Sequence, residues 1–193
     1  MAPILPPRPV WPYVGVLAAD EAALGAARES VAGALGPALS EAGPFPFRHT
    51  GYYARQAGPS ILRVFFGLAG PVSPEWLAEA KTRTNGLEEA LARRLCADAA
   101  SPCPWPRPVN LDPGYVALSK TVLASAKDFW HRVPLRDGVY AEVTLRWRRG
   151  AEGRSGRWEP LPWTFPDYAE ERYHPFLSDL RDRLRRAGSG GLP

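Results

Sequence analysis

"SILRVFFGLAGPVSPEWLAEAKTRTNGLEEALARR", residues 60–94, changes its periodicity midway, and that change decides the fold class. Residues 60–70 are apolar and aromatic on both alternating faces, the pattern of a strand inside a sheet. From Ser73 onward the apolar positions fall three and four apart, so Leu77, Ala80, Thr84, Leu87 and Leu91 form one stripe. Ser73 is placed as the N-cap, Pro74 at the first helical position, and Glu75 complements the helix dipole. A central strand feeding an amphipathic helix is half of a βαβ unit.

Towards the N-terminus, "YVGVL" (13–17) reads as a short buried strand. Asp20 then caps a helix with the stripe Leu24, Ala27, Val31 and Leu35, which Gly36-Pro37 ends. Residues 1–9 form a proline-rich arm unable to join a sheet interior. After a turn at "EAGPFP" (41–46), "FRHTGYYARQ" (47–56) has strand character.

Towards the C-terminus, "RPVNLDPGY" (107–115) supplies a strand and a Pro-Gly turn. A meander follows over 115–125, 131–135 and 139–147, turning at Asp137-Gly138. A loop containing "WTFPDY" (163–168) leads to a final amphipathic helix over 169–186. The order β-α-β-β-α-β predicts an α+β domain with a ferredoxin-like βαββαβ core. Its antiparallel sheet is extended by a C-terminal β-meander and a terminal helix, with helices largely on one face. The domain is expected over 10–187, with a flexible tail at 188–193.

The 193 residues suffice for one core of ordinary size. With 45% apolar and 23% charged residues the chain falls outside the disordered class. The net charge of +4 is modest, and its basic part lies late, in "RWRRGAEGRSGR" (146–157) and "RDRLRRAG" (181–188). Such arginine stripes can contact phosphates, but they read first as solvated faces of a hairpin and a helix. The spacing of Cys96 and Cys103 fits no zinc motif. No basic n-region precedes an apolar core, and no apolar run approaches 18 residues, so a cytoplasmic protein without a membrane partner is expected.

Polar residues interrupt the apolar patterns in three places. Lys81, Asn85 and Glu88 occupy i, i+4 and i+7 of the second helix, and Thr84-Asn85-Gly86 puts three indifferent helix formers in its middle. Asn110 and Asp112 alternate with Leu111, so both point to one side of an incoming strand. The hairpin 125–145 carries Lys127, His131, Arg132, Glu142 and Thr144 beside an apolar face. A two-residue turn at Asp137-Gly138 sets His131 beside Glu142, whereas a three-residue turn with a bulge sets Arg132 there and sends His131 to the apolar side. A His–Glu pair suits general acid/base chemistry, and an Arg–Glu pair suits anchoring or phosphate binding. Lys120 interrupts the face of Val116, Leu118 and Val122, and Tyr52, Tyr53 and Asp167 lie among aromatic stretches.

The stretches "TGYYARQAG" (50–58), "KTRTNGLE" (81–88), "RPVNLDPGY" (107–115), "KTVLASAKDFWHR" (120–132), "GVYAEVTL" (138–145) and "WTFPDY" (163–168) occur in this order. Together they resemble a bacterial and archaeal family known as domain of unknown function 4416. The resemblance implies no established activity. It does imply that the polar residues inside these motifs, Thr50 among them, belong to one pattern. An acidic residue follows the double tyrosine in that pattern, where this chain has Gln56. Relatives sometimes bear a GTP-binding label, yet the chain has neither a G-x-x-x-x-G-K-[ST] loop nor an N-K-x-D guanine reader.

The reading favoured by these residues is a polar site for a phosphate- or carboxylate-bearing small molecule, a nucleotide included, with an enzymatic role left open. His131, Glu142 and Asp112 are the candidate catalytic groups. Lys81, Asn85, Glu88, Asn110, Lys120, Lys127, Arg132, Thr144, Tyr52, Tyr53 and Asp167 are the candidate ligand-binding groups. No cofactor is named, and a divalent ion through Asp112, Glu142, Glu88 and His131 stays open, as does the oligomeric state. One alternative is a nucleic-acid-binding module using sheet aromatics and the arginine-rich hairpin and tail. The other is a structural or protein-interaction domain. No Ser or Cys sits in a recognisable nucleophile elbow.

Overall fold

The computed structural model describes residues 1, 3–49, 51–97, 102–151 and 155–189, and of Gly51, Tyr52 and Ser189 the backbone alone. The elements are β1 (Trp11–Ala18), α1 (Glu21–Leu35), β2 (Ala38–Pro46), α2 (Gly51–Ala57), β3 (Leu62–Leu68), α3 (Trp76–Cys96) and β4 (Val109–Val116). There follow β5 (Lys120–Ser125), β6 (Val133–Pro134), β7 (Tyr140–Arg148), β8 (Arg157–Pro160) and α4 (His174–Ser189), the last preceded by a 3-10 turn at Glu171–Tyr173. This is an α+β architecture with one antiparallel sheet of eight strands in the order β2-β3-β1-β4-β5-β7-β6, and β8 also pairs with β7.

β1 is buried along its whole length because it lies between β3 and β4 with helices on both faces. Asp20 caps α1 by accepting the Ala23 N–H at 2.8 Å, as its position before the apolar stripe predicts. Val14, Val16, Val64, Phe66 and Leu111 pack against Leu24, Ala27, Val31 and Leu91 on one face. Tyr13 and Phe65 project from the other face onto Phe176, Leu177 and Leu180 of α4. The expectation of helices largely on one face is therefore corrected. The apolar side of α4 covers the aromatic residues that the alternation of β1 and β3 sends away from α1 and α3.

Four local expectations also change. The described residues of 47–56 do not make a strand: the backbone turns helical at Gly51, Gly58 at φ 89° ends the helix, and Tyr53 packs edge-on to Phe47. Packing outweighs the strand propensity of Tyr here. The strand of this region is β2, an irregular and largely exposed edge whose Gly43, Pro44 and Pro46 hide it in the sequence. Ser73 does not cap α3, because a turn from Ser73 to Trp76 precedes the helix. The strand expected over 131–135 shrinks to Val133–Pro134, since a turn closed by Arg132 N–H on Phe129 O diverts the chain.

The turn at Asp137-Gly138 takes the bulged register. Val139 N–H donates to Arg136 O, both turn residues have positive φ, and Leu135 N–H donates to Val139 O, so Val133 pairs with Ala141. Among the described residues no helix is long and apolar enough to cross a membrane.

His174 opens α4 with its Nε2 buried and bonded to no protein atom, and burial pulls its pKa below the ordinary 6.5. The folded state thus binds this proton less readily than the unfolded chain does. His174 therefore contributes no penalty at pH 7.5 and an increasing one as pH falls through 6.5. His49 and His131 lie against Glu170 and Glu142, so the single variant isolates the effect. The melting temperature should fall between pH 7.5 and pH 5.5, and His174→Gln should make that fall shallower. An unchanged slope refutes the assignment.

Candidate functional site

A cleft of ≈ 200 Å³ opens where β4 and β5 part. Their ladder is confined to Gly114–Val116 against Thr121–Leu123. Below it, α3 takes the place of the missing strand beside Leu111. Leu111 N–H donates to Glu88 Oε1 at 2.8 Å, and Leu111 O accepts from Lys81 Nζ at 2.9 Å. This is why a helix face carries Lys and Glu seven residues apart at buried positions: they satisfy backbone groups that would otherwise be stranded. Pro113 has no N–H to lose and fits a strand whose ladder has ended.

Among the described residues the lining comes from seven separate parts of the chain. Lys81 and Asn85 come from α3, Arg107, Asn110 and Asp112 from β4 and its approach, and Leu123–Lys127 from β5 and the turn after it. Arg132 and Glu142 come from the meander, Phe165 and Tyr168 from the loop before α4, Tyr53 from α2 and Arg63 from β3. Five cationic side chains (Arg63, Lys81, Arg107, Lys127, Arg132) thus face two carboxylates (Asp112, Glu142). Behind them lie Glu88 and Asp167, so among the described residues cations still exceed carboxylates by one.

Arg107, Lys81 and Arg132 are each held in place. Arg107 donates through Nε at 3.0 Å and Nη2 at 2.6 Å to Glu88 Oε2, and also to Asn110 Oδ1. Asn110 Nδ2 donates to Asp112 Oδ2 at 2.6 Å, and Lys81 Nζ lies 3.5 Å from Asp112 Oδ1. Burial pushes the Glu88 carboxyl up, against the pull of Lys81 and Arg107. Across the cleft, Arg132 donates to Glu142 Oε2 at 2.7 Å, to Ser125 Oγ at 2.6 Å and to Lys127 O at 2.9 Å.

His131 and Arg132 both reach Glu142 Oε2, His131 at 3.2 Å, so the two registers weighed from sequence are not exclusive alternatives. The bulged register faces Arg132 to Glu142, but His131 does not join the apolar side, because the turn at 129–132 carries it back. Its ring stacks between Phe129 and Trp163 and does not line the cleft. His131 thus stands behind Glu142, outside the lining.

The other candidates divide. Tyr53, Lys81, Asn85, Asn110, Asp112, Lys127, Arg132 and Glu142 meet in the cleft. Glu88 lies behind it and Asp167 beneath Arg63. Lys120 is exposed at the start of β5, paired with Arg146, and Thr144 is buried outside the lining. Thr50 and the Tyr52 side chain lie outside the described residues. Among the described residues no group of three or more His, Cys, Asp or Glu side chains comes together to hold a metal ion. Arg146, Arg148 and Arg157 converge on Glu159, and Arg181 stacks on Trp147.

Sequence reasoning missed Arg63, Arg107 and Tyr168. Arg63 carried a signal, a lone cation inside an otherwise apolar central strand. It is 2% exposed, ion-paired with Asp167 through Nη2, and in contact with the faces of Phe65 and Tyr168. Asp167 therefore ties the loop 163–168 to β3, while Trp163 Nε1 ties it to Val143 O at 2.8 Å.

No curated protein and no solved structure matches this chain. A family model does match, over residues 8–184, spanning every element from β1 to β8 and most of α4. The chain belongs to the family described as Domain of unknown function (DUF4416).

Proposed function

We propose that the protein binds a small anionic metabolite, bearing a phosphate or carboxylate, in the cleft between β4 and β5. One observation carries this reading: side chains from seven parts of the chain converge on one concavity with cations in excess. Ligand sites are concave with a few polar groups placed to fix orientation, and guanidinium groups suit oxyanions. A volume of ≈ 200 Å³ is below the ~300–1,000 Å³ of drug-sized sites, which favours a compact metabolite over a whole nucleotide. Lys127, Arg132 and Arg107 supply the charge for the anion, with Glu142 holding Arg132 and Glu88 holding Arg107 in position.

On the same reading the segment from Trp11 to Val116 is a ferredoxin-like half. It is supported by the antiparallel order β2-β3-β1-β4, with α1 and α3 on the two crossovers and α2 as an addition between β2 and β3.

The test is calorimetric titration of the full chain with phosphorylated and carboxylated metabolites against uncharged analogues. Binding of the anionic members alone is expected, weakened about tenfold by Lys127→Ala, an exposed position whose loss leaves the core intact. Absence of binding by every anion at millimolar concentration overturns the reading.

A further inference from the structure

The floor of the cleft differs from its mouth. Arg63 uses Nη2 for Asp167, whereas its Nε and Nη1 are buried and bond no protein atom among the described residues. The Tyr168 hydroxyl, equally buried, has the Tyr13 hydroxyl beside it but no partner at full hydrogen-bond geometry among the described residues. Both groups line the cleft and meet over Gly15: a Cβ there would lie 2.6 Å from Tyr168 Oη and 3.1 Å from Arg63 Nη1. A side chain at position 15 would fill the space these two groups occupy. Buried guanidinium N–H groups and phenols are almost always paired, so unsatisfied donors on two residues that line the cleft mark where a ligand atom is received.

The charge at this depth decides what that atom is. Asp167, fully buried, neutralises Arg63, so a second anion beside it would be left unbalanced in a dry setting. An uncharged oxygen meets the need: it accepts from Arg63, and a hydroxyl also donates to Tyr168. Burial pushes the Tyr168 pKa well up, which keeps the phenol a neutral donor and acceptor. At the mouth, where cations exceed carboxylates among the described residues, an anion is still favoured.

Resting on the anion-binding reading above, we infer that the ligand is a small polyhydroxylated anion, a sugar phosphate or sugar acid. Its charged group sits at the mouth, and a hydroxyl or carbonyl oxygen reaches Arg63 and Tyr168 at the floor. The shared chemistry is an oxyanion joined to a chain of hydroxyl groups.

Calorimetry on the full chain with two matched pairs tests this: D-ribose 5-phosphate against n-butyl phosphate, and D-gluconate against hexanoate. At least one hydroxylated member should bind at least tenfold tighter than its unhydroxylated partner, and which pair responds identifies phosphate or carboxylate. Tyr168→Phe, which keeps the ring against Phe65, should remove about tenfold of that preference and leave the unhydroxylated partner unchanged. Equal binding within both pairs, or a Tyr168→Phe protein with the full preference, overturns this inference while the anion site stands. Failure of all four probes to bind overturns both.

Discussion

Replacing Asp167 with alanine should destabilise the protein by about 3–5 kcal/mol, read as a shift of the urea midpoint at constant slope. The cost comes from what remains. Arg63 is fully buried on β3, and although burial acts to lower its pKa, Asp167 holds it above the ordinary arginine value. Without that carboxylate the guanidinium stays charged, and the remaining described residues offer its Nε and Nη1 no acceptor. Arg63→Met should cost a similar amount by stranding Asp167, and the two substitutions together should cost well under the sum of the singles. A control sets the scale: Glu79→Ala, which breaks the exposed i,i+4 pair with Arg83, should cost no more than about 0.5 kcal/mol. An Asp167→Ala protein within about 1 kcal/mol of wild type would show that the pair contributes no stability. Because the pair joins positions 104 residues apart, its loss should also release the loop 163–168 from β3.

The elements most legible in the sequence were those whose burial follows a period. β1, β3, α1 and α3 carry long apolar patterns, and an antiparallel α+β sheet followed from them. β2 was hidden because an edge strand with Gly43, Pro44 and Pro46 needs little apolar alternation. α2 was misread because Tyr53 is buried by its contact with Phe47, which no local pattern encodes. In the site, the polar residues on periodic elements were found: Lys81 and Asn85 from helix spacing, Asn110 and Asp112 from strand alternation. Arg63 and Arg107 were missed because their meaning lies in partners far away, Asp167 and Glu88, which only the folded chain brings close. The hairpin ambiguity had a similar origin. A bulge at the Asp137-Gly138 turn is a local event, but the return of His131 to Glu142 depends on a second turn, at 129–132.

The same distinction between periodic placement and distant partners makes Glu88 the second test of large effect. Glu88→Ala should cost about 3 kcal/mol, because one side chain serves three groups: Leu111 N–H, the Arg107 guanidinium and the Lys81 ammonium. Glu88→Gln separates these contributions. It keeps an oxygen for Leu111 N–H while turning an amide towards Arg107, and it removes a carboxylate whose ionised form burial already disfavours. Its cost should therefore be smaller, about 1–2 kcal/mol. The order also has a local readout. In Glu88→Ala the Leu111 amide should lose its protection from hydrogen exchange, and the anion-binding side of the cleft should slacken as Arg107 loses its anchor. In Glu88→Gln that amide should stay protected. If both variants expose Leu111 equally, α3 is not standing in for a strand beside β4. The gap between β4 and β5 would then owe its shape to the meander alone. If only alanine does so, the polar stripe of α3 holds the cleft open by completing a sheet edge.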